Sequence, residues 1–144
     1  MINKEIFLQQ LKYLIEDDLY PITSLSNMSA LINQHFENIN WAGFYLMEGG
    51  QLVLGPFQGP LACSRIKFGR GVCGTAWKEA RTQVVPDVEQ FPGHIACSSA
   101  SKSEIVVPIF KECQVTAVLD IDSEYLATFD DTDKVWLERI VSLL

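Results

Sequence analysis

The fold is decided by two consecutive apolar runs, Ser103-Glu104-Ile105-Val106-Val107-Pro108-Ile109-Phe110-Lys111 and Gln114-Val115-Thr116-Ala117-Val118-Leu119-Asp120-Ile121-Asp122. The polar residues at 111–114 between them are typical of a tight turn, so the two runs predict a β-hairpin. Apolar side chains occur at both odd and even positions of each run, which indicates that both faces of both strands are covered. We therefore expect both strands to be central in an antiparallel sheet.

Patterns on either side of the hairpin predict the remaining elements. Helical spacing of apolar residues predicts helices over residues 2–16, 24–39 and 72–81. It also predicts a last helix, which Asp130 caps and in which Val135 and Trp136 belong to the buried stripe. Alternation predicts strands over residues 41–47, 51–57, 61–68 and 82–85, the first two joined at Gly49-Gly50. The fold class is therefore α+β, with a central antiparallel sheet flanked by helices on one face and a pocket under long loops on the other.

Length, composition and charge indicate how many domains the chain forms, which partners it can bind and where in the cell it is found. The chain has 144 residues, and we expect residues 1–144 to form a single domain with one core. The net charge of −7, from 11 Lys and Arg against 18 Asp and Glu, provides no basic surface for nucleic acid and would be repelled by anionic membranes. The first residues lack the pattern of a signal peptide, and no run is long enough to span a bilayer. We expect a cytoplasmic protein with neither a nucleic-acid nor a membrane partner.

The four cysteines indicate redox or catalytic chemistry. None belongs to a C-x-x-C pair, so we expect no structural zinc, no other metal and no cofactor. Cys97 lies in the segment Gly93-His94-Ile95-Ala96-Cys97-Ser98-Ser99-Ala100-Ser101-Lys102-Ser103-Glu104, where small residues leave its sulfur accessible and offer backbone N–H groups to an anion. The alternative is an ordinary surface loop that contains a cysteine.

Acidic residues on the predicted hairpin require a positive partner. Asp120 and Asp122 are two positions apart, so their carboxylates point to the same face of a strand that contains no Lys or Arg. Glu104, at the start of the preceding strand, supplies a third carboxylate. A ligand ammonium or a divalent metal would each fit, but no EF-hand or phosphate-binding loop accompanies the acids. We favour a small cationic or zwitterionic ligand, although a solvated strand end would also explain Asp122.

Two aromatic residues share one face of the strand predicted over residues 41–47. Alternation places Trp41 and Tyr45 on the same side, together with Gly43. Their polar tips would suit the wall of a pocket, and their rings would equally suit an ordinary core. The pattern alone favours neither interpretation.

These residues resemble those of a known family, the free methionine-(R)-sulfoxide reductases, which are single GAF domains. The resemblance spans nearly the whole chain and includes the order and spacing of three cysteines. It is carried by Asn40-Trp41-Ala42-Gly43-Phe44-Tyr45, Gly71-Val72-Cys73-Gly74-Thr75-Ala76, Gly93-His94-Ile95-Ala96-Cys97, Ser103-Glu104-Ile105-Val106 and Val118-Leu119-Asp120-Ile121-Asp122-Ser123.

The resemblance implies a thiol-dependent reduction of free methionine sulfoxide. Cys97 would take the sulfoxide oxygen and become a sulfenic acid, and Cys63 would resolve it through an intramolecular disulfide. Thioredoxin or a similar dithiol would then restore both thiols. Cys73 corresponds to the family's third cysteine, an alternative or relay partner, whereas Cys113 has no counterpart and is interpreted as a bystander. A homodimer is also implied.

The same resemblance implies a substrate site. Trp41 and Tyr45 would surround the methyl and sulfoxide groups of the substrate. Glu104, Asp120 and Asp122 would hold the α-amino group and polarise or protonate the sulfoxide oxygen, and backbone N–H groups of Ile95, Ala96 and Cys97 would take the α-carboxylate. The ammonium of the substrate would supply the cation that the acids require.

Two other functions are compatible with a GAF fold. A non-catalytic sensor of a small molecule is the main alternative, although nothing else in the chain could receive its signal. A thiol-based peroxide sensor that uses Cys97 and Cys63 is a further alternative, but it leaves Asp120 and Glu104 without a role.

Overall fold

The computed structural model describes residues 3–16, 19–94 and 100–144. These residues form four helices and six strands, with a short 3-10 turn at Val88–Gln90. Their bounds are α1 Lys4–Ile15, α2 Pro21–His35, β1 Trp41–Glu48, β2 Gln51–Gln58, β3 Arg65–Ile66, α3 Gly71–Glu79, β4 Gln83–Val85, β5 Ser103–Lys111, β6 Gln114–Ser123 and α4 Asp131–Val141. In the described part of the chain, no helix is long and apolar enough to cross a bilayer.

The strands form one antiparallel sheet in the order β3-β2-β1-β6-β5-β4. The hairpin predicted from the two apolar runs is confirmed as β5 and β6, which turn at Glu112 and Cys113, both with positive φ. Both strands lie inside the sheet, since β6 pairs with β1 and β5 pairs with β4. The α+β class is therefore confirmed, and the central hairpin connects the two halves of the sheet.

Opposite faces of the sheet bury different cores. Helices α1, α2 and α4 cover one face, where Phe7, Met28 and Leu137 pack against Phe44 and Leu119. The N-terminus of α4 is stabilised by a capping box, in which Asp130 accepts from the backbone N–H of Asp133 and the Asp133 carboxylate accepts in return. Of the described helices, only the short α3 lies on the second face, which leaves room beside it for a cavity.

The predicted alternation of β1 side chains between the two faces of the sheet is confirmed, because successive residues enter different cores. Ala42 and Phe44 belong to the core under the three helices, whereas Trp41 and Tyr45 belong to the core beside α3. Gly43 allows close approach of β2, because a Cβ atom there would lie 2.3 Å from Cβ of Phe57.

Three predictions of local structure differ from the fold. The strand predicted over residues 61–68 is only two residues long, because side chains of β1 bind the backbone carbonyls of the preceding segment and draw it away from the sheet. Helix α2 begins at Pro21 rather than near Ser24, since proline is well suited to a first helical position. Val135 was predicted to be buried but is 65% exposed, because α4 turns it away from the sheet.

Candidate active site

A cavity lies on the face of the sheet beside α3. Strands β1, β5 and β6 and the first turn of α3 form its walls, and residues 61–62 close one side. Its volume of about 60 Å³ is the space of roughly four to six water molecules. This volume suits an ammonium group or the polar head of a small ligand.

Strand pairing brings the three predicted acids into this cavity. Glu104 of β5 lies directly opposite Asp122 of β6, and Asp120 lies opposite Val106, two positions further along the same face. All three carboxyl groups line the cavity. Glu104 is 8% exposed and Asp120 is 6% exposed, so these two acids are buried. Asp122, for which a solvated strand end is the alternative, is half-buried at the same cavity.

Within the described residues, no ion pair joins the three acids to a basic side chain, although the nearby His94 acts to lower the pKa of Asp120. Oδ1 of Asp120 is also buried without a hydrogen-bond partner among these residues. A buried carboxylate oxygen in this condition is costly, because it has lost its water without gaining a donor. The site therefore favours a ligand that brings positive charge and N–H donors.

The three acids have raised pKa values. Burial, followed by the charges of Asp120 and Asp122, raises the pKa of Glu104 well above its usual value. Burial and then the charge of Asp120 do the same to the pKa of Asp122. Burial also raises the pKa of Asp120, but hydrogen bonding with Glu104 and Cys73 opposes the increase. Asp120 is thus the acid that holds a negative charge most readily, and its neighbours favour the protonated form.

An aromatic wall lies beside the acids, because β1 pairs with β6 and Trp41 is the partner of Asp122. The Trp41 ring stacks on Phe57 at a centroid distance of 5.2 Å and lies nearly parallel to Tyr45 at 6.0 Å. Its indole N–H donates to the carbonyl oxygen of Pro60 at 3.1 Å, and the Tyr45 hydroxyl donates to the carbonyl oxygen of Cys63 at 2.9 Å. Both polar tips are therefore satisfied by backbone, and the rings present apolar surface to the cavity.

The described cysteines occupy three different environments. Cys63 is disulfide-bonded, whereas Cys73 and Cys113 carry free thiols. Cys73 lines the cavity from the first turn of α3, and burial together with the charge of Asp120 raises its pKa well above the usual value. Cys113 is exposed in the hairpin turn, away from the cavity-lining residues. The predicted roles of Cys97, Ile95 and Ala96 fall on residues outside the described part of the chain.

Two basic residues at the cavity were not predicted as site residues. Arg70 precedes α3 and is exposed at the cavity, and His94 lines it from the segment after the 3-10 turn. Neither belongs to a periodic pattern, so no pattern in the sequence indicates a role for them. The glycines on either side of Arg70 were a signal, since they mark a sharp turn into a helix N-terminus.

The cavity residues also include one set of potential metal ligands. The Cys73 sulfur and one carboxylate oxygen each of Glu104 and Asp120 lie within 4.8 Å of one another, and all three residues are buried.

Comparison with known proteins gives consistent results. Residues 23–144 match the model of a family described as GAF domain. The free methionine-R-sulfoxide reductase of Escherichia coli is 51% identical over 123 residues, 85% of this chain and 74% of that protein. The structure of fRMsr of Staphylococcus aureus in its reduced form has a TM-score of 0.96 at 56% identity, covering 99% of this chain and 93% of that one. The free methionine-R-sulfoxide reductase of Neisseria meningitidis, in complex with its substrate, has a TM-score of 0.94 at 47% identity, covering 97% and 84%.

Proposed function

The chain belongs to the free methionine-R-sulfoxide reductase family of GAF domains, and we propose that it reduces free L-methionine (R)-S-oxide to methionine. The observation that carries the proposal is a cavity lined by buried acids and, beside them on the sheet, by stacked aromatic rings. A free amino acid sulfoxide has a matching distribution of groups. Its ammonium supplies the missing positive charge, and its methyl group and side chain suit the aromatic surface.

The ammonium of the substrate binds Asp120 in this proposal. Oδ1 of Asp120 is a buried acceptor without a donor, and this carboxyl ionises more readily than those of Glu104 and Asp122. A peptide-bound methionine sulfoxide has an amide in place of the ammonium and would leave the charge of Asp120 buried and unpaired. The acids therefore account for a preference for the free amino acid.

Glu104 and Asp122 are the proposed proton donors. Burial raises both of their pKa values well above the usual ones, which favours the protonated form that a general acid requires. Protonation of the sulfoxide oxygen makes the sulfoxide sulfur more electrophilic toward a thiol, and the S–O bond breaks as the hydroxyl passes to the thiol sulfur. The two acids are adjacent across β5 and β6, so either could supply this proton.

Cys97 is the proposed nucleophile. Its thiol accepts the oxygen of the sulfoxide, giving methionine and a Cys97 sulfenic acid. The Cys63 thiol then attacks the sulfenic sulfur, which forms a Cys63–Cys97 disulfide and releases water. A dithiol, for which we propose thioredoxin, reduces this disulfide by thiol exchange and becomes oxidised itself. The disulfide state of Cys63, beside free thiols at Cys73 and Cys113, supports a redox role for Cys63.

Turnover with a chemical dithiol tests the proposal directly. The purified protein with excess dithiothreitol should convert free methionine (R)-sulfoxide to methionine, measured by amino acid chromatography. Cys97→Ser should abolish this conversion, and Cys113→Ser is the matched control that should retain it. Asp120→Asn should raise KM at least about tenfold, because a charged hydrogen bond is worth about 1.5–3 kcal/mol. Absence of turnover, with binding of the sulfoxide preserved, would instead identify a non-catalytic sensor.

A further inference from the structure

We propose that the protein with its Cys63 disulfide intact binds one zinc-like divalent cation through Cys73, Glu104 and Asp120. The ligand atoms of these residues already lie within 4.8 Å of one another. A tetrahedral zinc ion with Zn–S near 2.3 Å and Zn–O near 2.0–2.2 Å separates its ligands by roughly 3.4–3.6 Å. Side-chain rotation over about 1 Å is enough to close the set around an ion.

Secondary structure holds the three ligands in place. Cys73 lies in the first turn of α3, Glu104 near the start of β5 and Asp120 within β6. A set supplied by three regular elements is more rigid than one supplied by loops. The cation's own charge and the N-terminal end of α3 both favour the thiolate form of Cys73.

A second observation, independent of the clustering, points to a cation. Asp120 is 6% exposed, lines the cavity and has a buried Oδ1 atom without a hydrogen-bond partner. No ion pair joins any of the acids to Arg70 or His94 in the portion of the chain that is described. Among the described residues, Oδ1 of Asp120 therefore has no internal partner and is available to a ligand.

The donor set selects the kind of metal. Magnesium and calcium prefer oxygen ligands alone, whereas a thiolate with two carboxylates suits zinc, cobalt or cadmium. Three protein ligands leave one coordination position open. The acids alone would favour magnesium or calcium, which bind oxygen ligands. The Cys73 sulfur at the same cavity favours zinc, cobalt or cadmium instead.

Cobalt titration tests this site without any turnover. The Cys113→Ser protein, kept oxidised, is titrated with Co²⁺, whose bond to a thiolate gives a near-ultraviolet charge-transfer band, and the ion is then displaced with Zn²⁺. We expect one equivalent to bind and the band to appear. Cys73→Ser in the same background should lose the band and weaken Zn²⁺ at least about 100-fold, since even indirect changes near a metal cost 10–100-fold. A parent protein without the band, or Zn²⁺ affinity unchanged by Cys73→Ser, would overturn the site.

The metal and an amino acid should exclude each other, and this part rests on the proposed function. Free L-methionine should weaken Zn²⁺ binding beyond what its own chelation of the ion in solution explains, because its ammonium needs Asp120. Glycine, which chelates Zn²⁺ in solution much as L-methionine does but has no side chain for the aromatic rings, is the matched control and should weaken Zn²⁺ binding less. Equal effects of the two amino acids would refute the overlap of the two ligands. Failure of sulfoxide turnover would count against the reductase alone, because the cobalt band is measured without substrate.

Discussion

Glu104 and Asp122 lie directly opposite each other on β5 and β6, with both carboxyl groups in the same cavity. Like charges in facing positions of a sheet destabilise it, and burial adds a desolvation cost for each charge. The fold therefore contains a local conflict near the open end of its central hairpin. In our proposal, the protons held by Glu104 and Asp122 relieve this conflict and serve acid catalysis, while the substrate's ammonium binds Asp120 in the same cavity.

The first prediction concerns the effect of pH on stability. Folded-state pKa values of Glu104 and Asp122 are raised above 4.5 and 3.8, so their contribution to stability is fully present below about pH 4 and is lost as pH rises through the raised values. Glu104→Gln removes one of these protonation sites. We expect the variant to be more stable than the unmodified protein at pH 8 by about 1–3 kcal/mol, the usual cost of an unsatisfied buried polar group.

Urea unfolding at pH 4 and pH 8 measures this difference. The gain should disappear at pH 4, where the glutamate is protonated in both the folded and the unfolded states. Glu124→Gln, at an exposed position beyond β6, is the control and should change little at either pH. If Glu104→Gln changed the free energy of unfolding equally at pH 4 and pH 8, the charge of Glu104 would not be what destabilises the folded protein.

The sequence predicts those features of the site that depend on residues close together in the chain. The common face of Asp120 and Asp122 follows from the two-residue period of a strand, and that prediction needs no tertiary information. Glu104 joins that face only because of a β-bulge. The turn pairs Lys111 with Gln114, and the register shift between Ile109 and Phe110 moves the partner of Glu104 from Ile121 to Asp122. The two aspartates could therefore be placed together before the fold was known, whereas the register that brings Glu104 to them could not.

Other features depend on contacts between distant parts of the chain. The segment before β3 leaves the sheet because Trp41 and Tyr45 bind its carbonyl groups from β1, and no pattern within residues 61–64 reports this. Val135 is next to the buried Trp136, and the helical period alone does not decide which of the two faces the core. The length of β3 and the exposure of Val135 were therefore predicted wrongly because tertiary packing determines both.

A second prediction tests the glycine behind the aromatic wall. Gly59 has φ +140°, and a Cβ atom there would lie 2.6 Å from Cδ1 of Trp41 and 2.8 Å from the carbonyl oxygen of Asn40. Gly59→Ala should therefore displace Trp41 and destabilise the protein by about 2–4 kcal/mol, from backbone strain and overpacking together. Gly50→Ala is the matched control, since Gly50 has φ +79° but no atom within 4 Å of its added Cβ.

Denaturant unfolding of the two glycine variants separates strain from crowding. Gly50→Ala should lose only about 1–2 kcal/mol, the cost of a left-handed conformation. The Gly59 variant should also show altered tryptophan fluorescence and a higher KM for the sulfoxide, because the indole moves. Equal losses in the two variants would mean that contact with Trp41 is unimportant.

A third prediction separates two roles of Tyr45. Its hydroxyl donates to the carbonyl oxygen of Cys63 at 2.9 Å, so Tyr45 positions the backbone of the proposed resolving cysteine. Tyr45→Phe should cost about 0.5–1.5 kcal/mol in stability and slow disulfide formation after oxidation by the substrate. The first equivalent of methionine should still form at the unmodified rate, since the phenyl ring continues to line the cavity.

Single turnover without a reductant measures both steps, with methionine followed by chromatography and the disulfide by peptide mapping. Tyr13→Phe, at a position 82% exposed, is the control and should change neither rate. If Tyr45→Phe slows methionine formation and leaves the subsequent disulfide step unchanged, the hydroxyl acts on the substrate instead of on Cys63.

The last prediction compares the two free thiols. Cys73 is 4% exposed, and burial first and the charge of Asp120 second raise its pKa, so its thiolate fraction at pH 8 is small. Cys113 is exposed in the hairpin turn. Iodoacetamide at pH 8 should therefore modify Cys113 at least about tenfold faster than Cys73, measured by peptide mass spectrometry with the Cys63 disulfide intact. Unfolding in urea should remove the difference, since it exposes Cys73 and separates it from Asp120. Equal rates in the folded protein would show that the Cys73 sulfur is open to solvent, and its place in the buried ligand set would then be wrong.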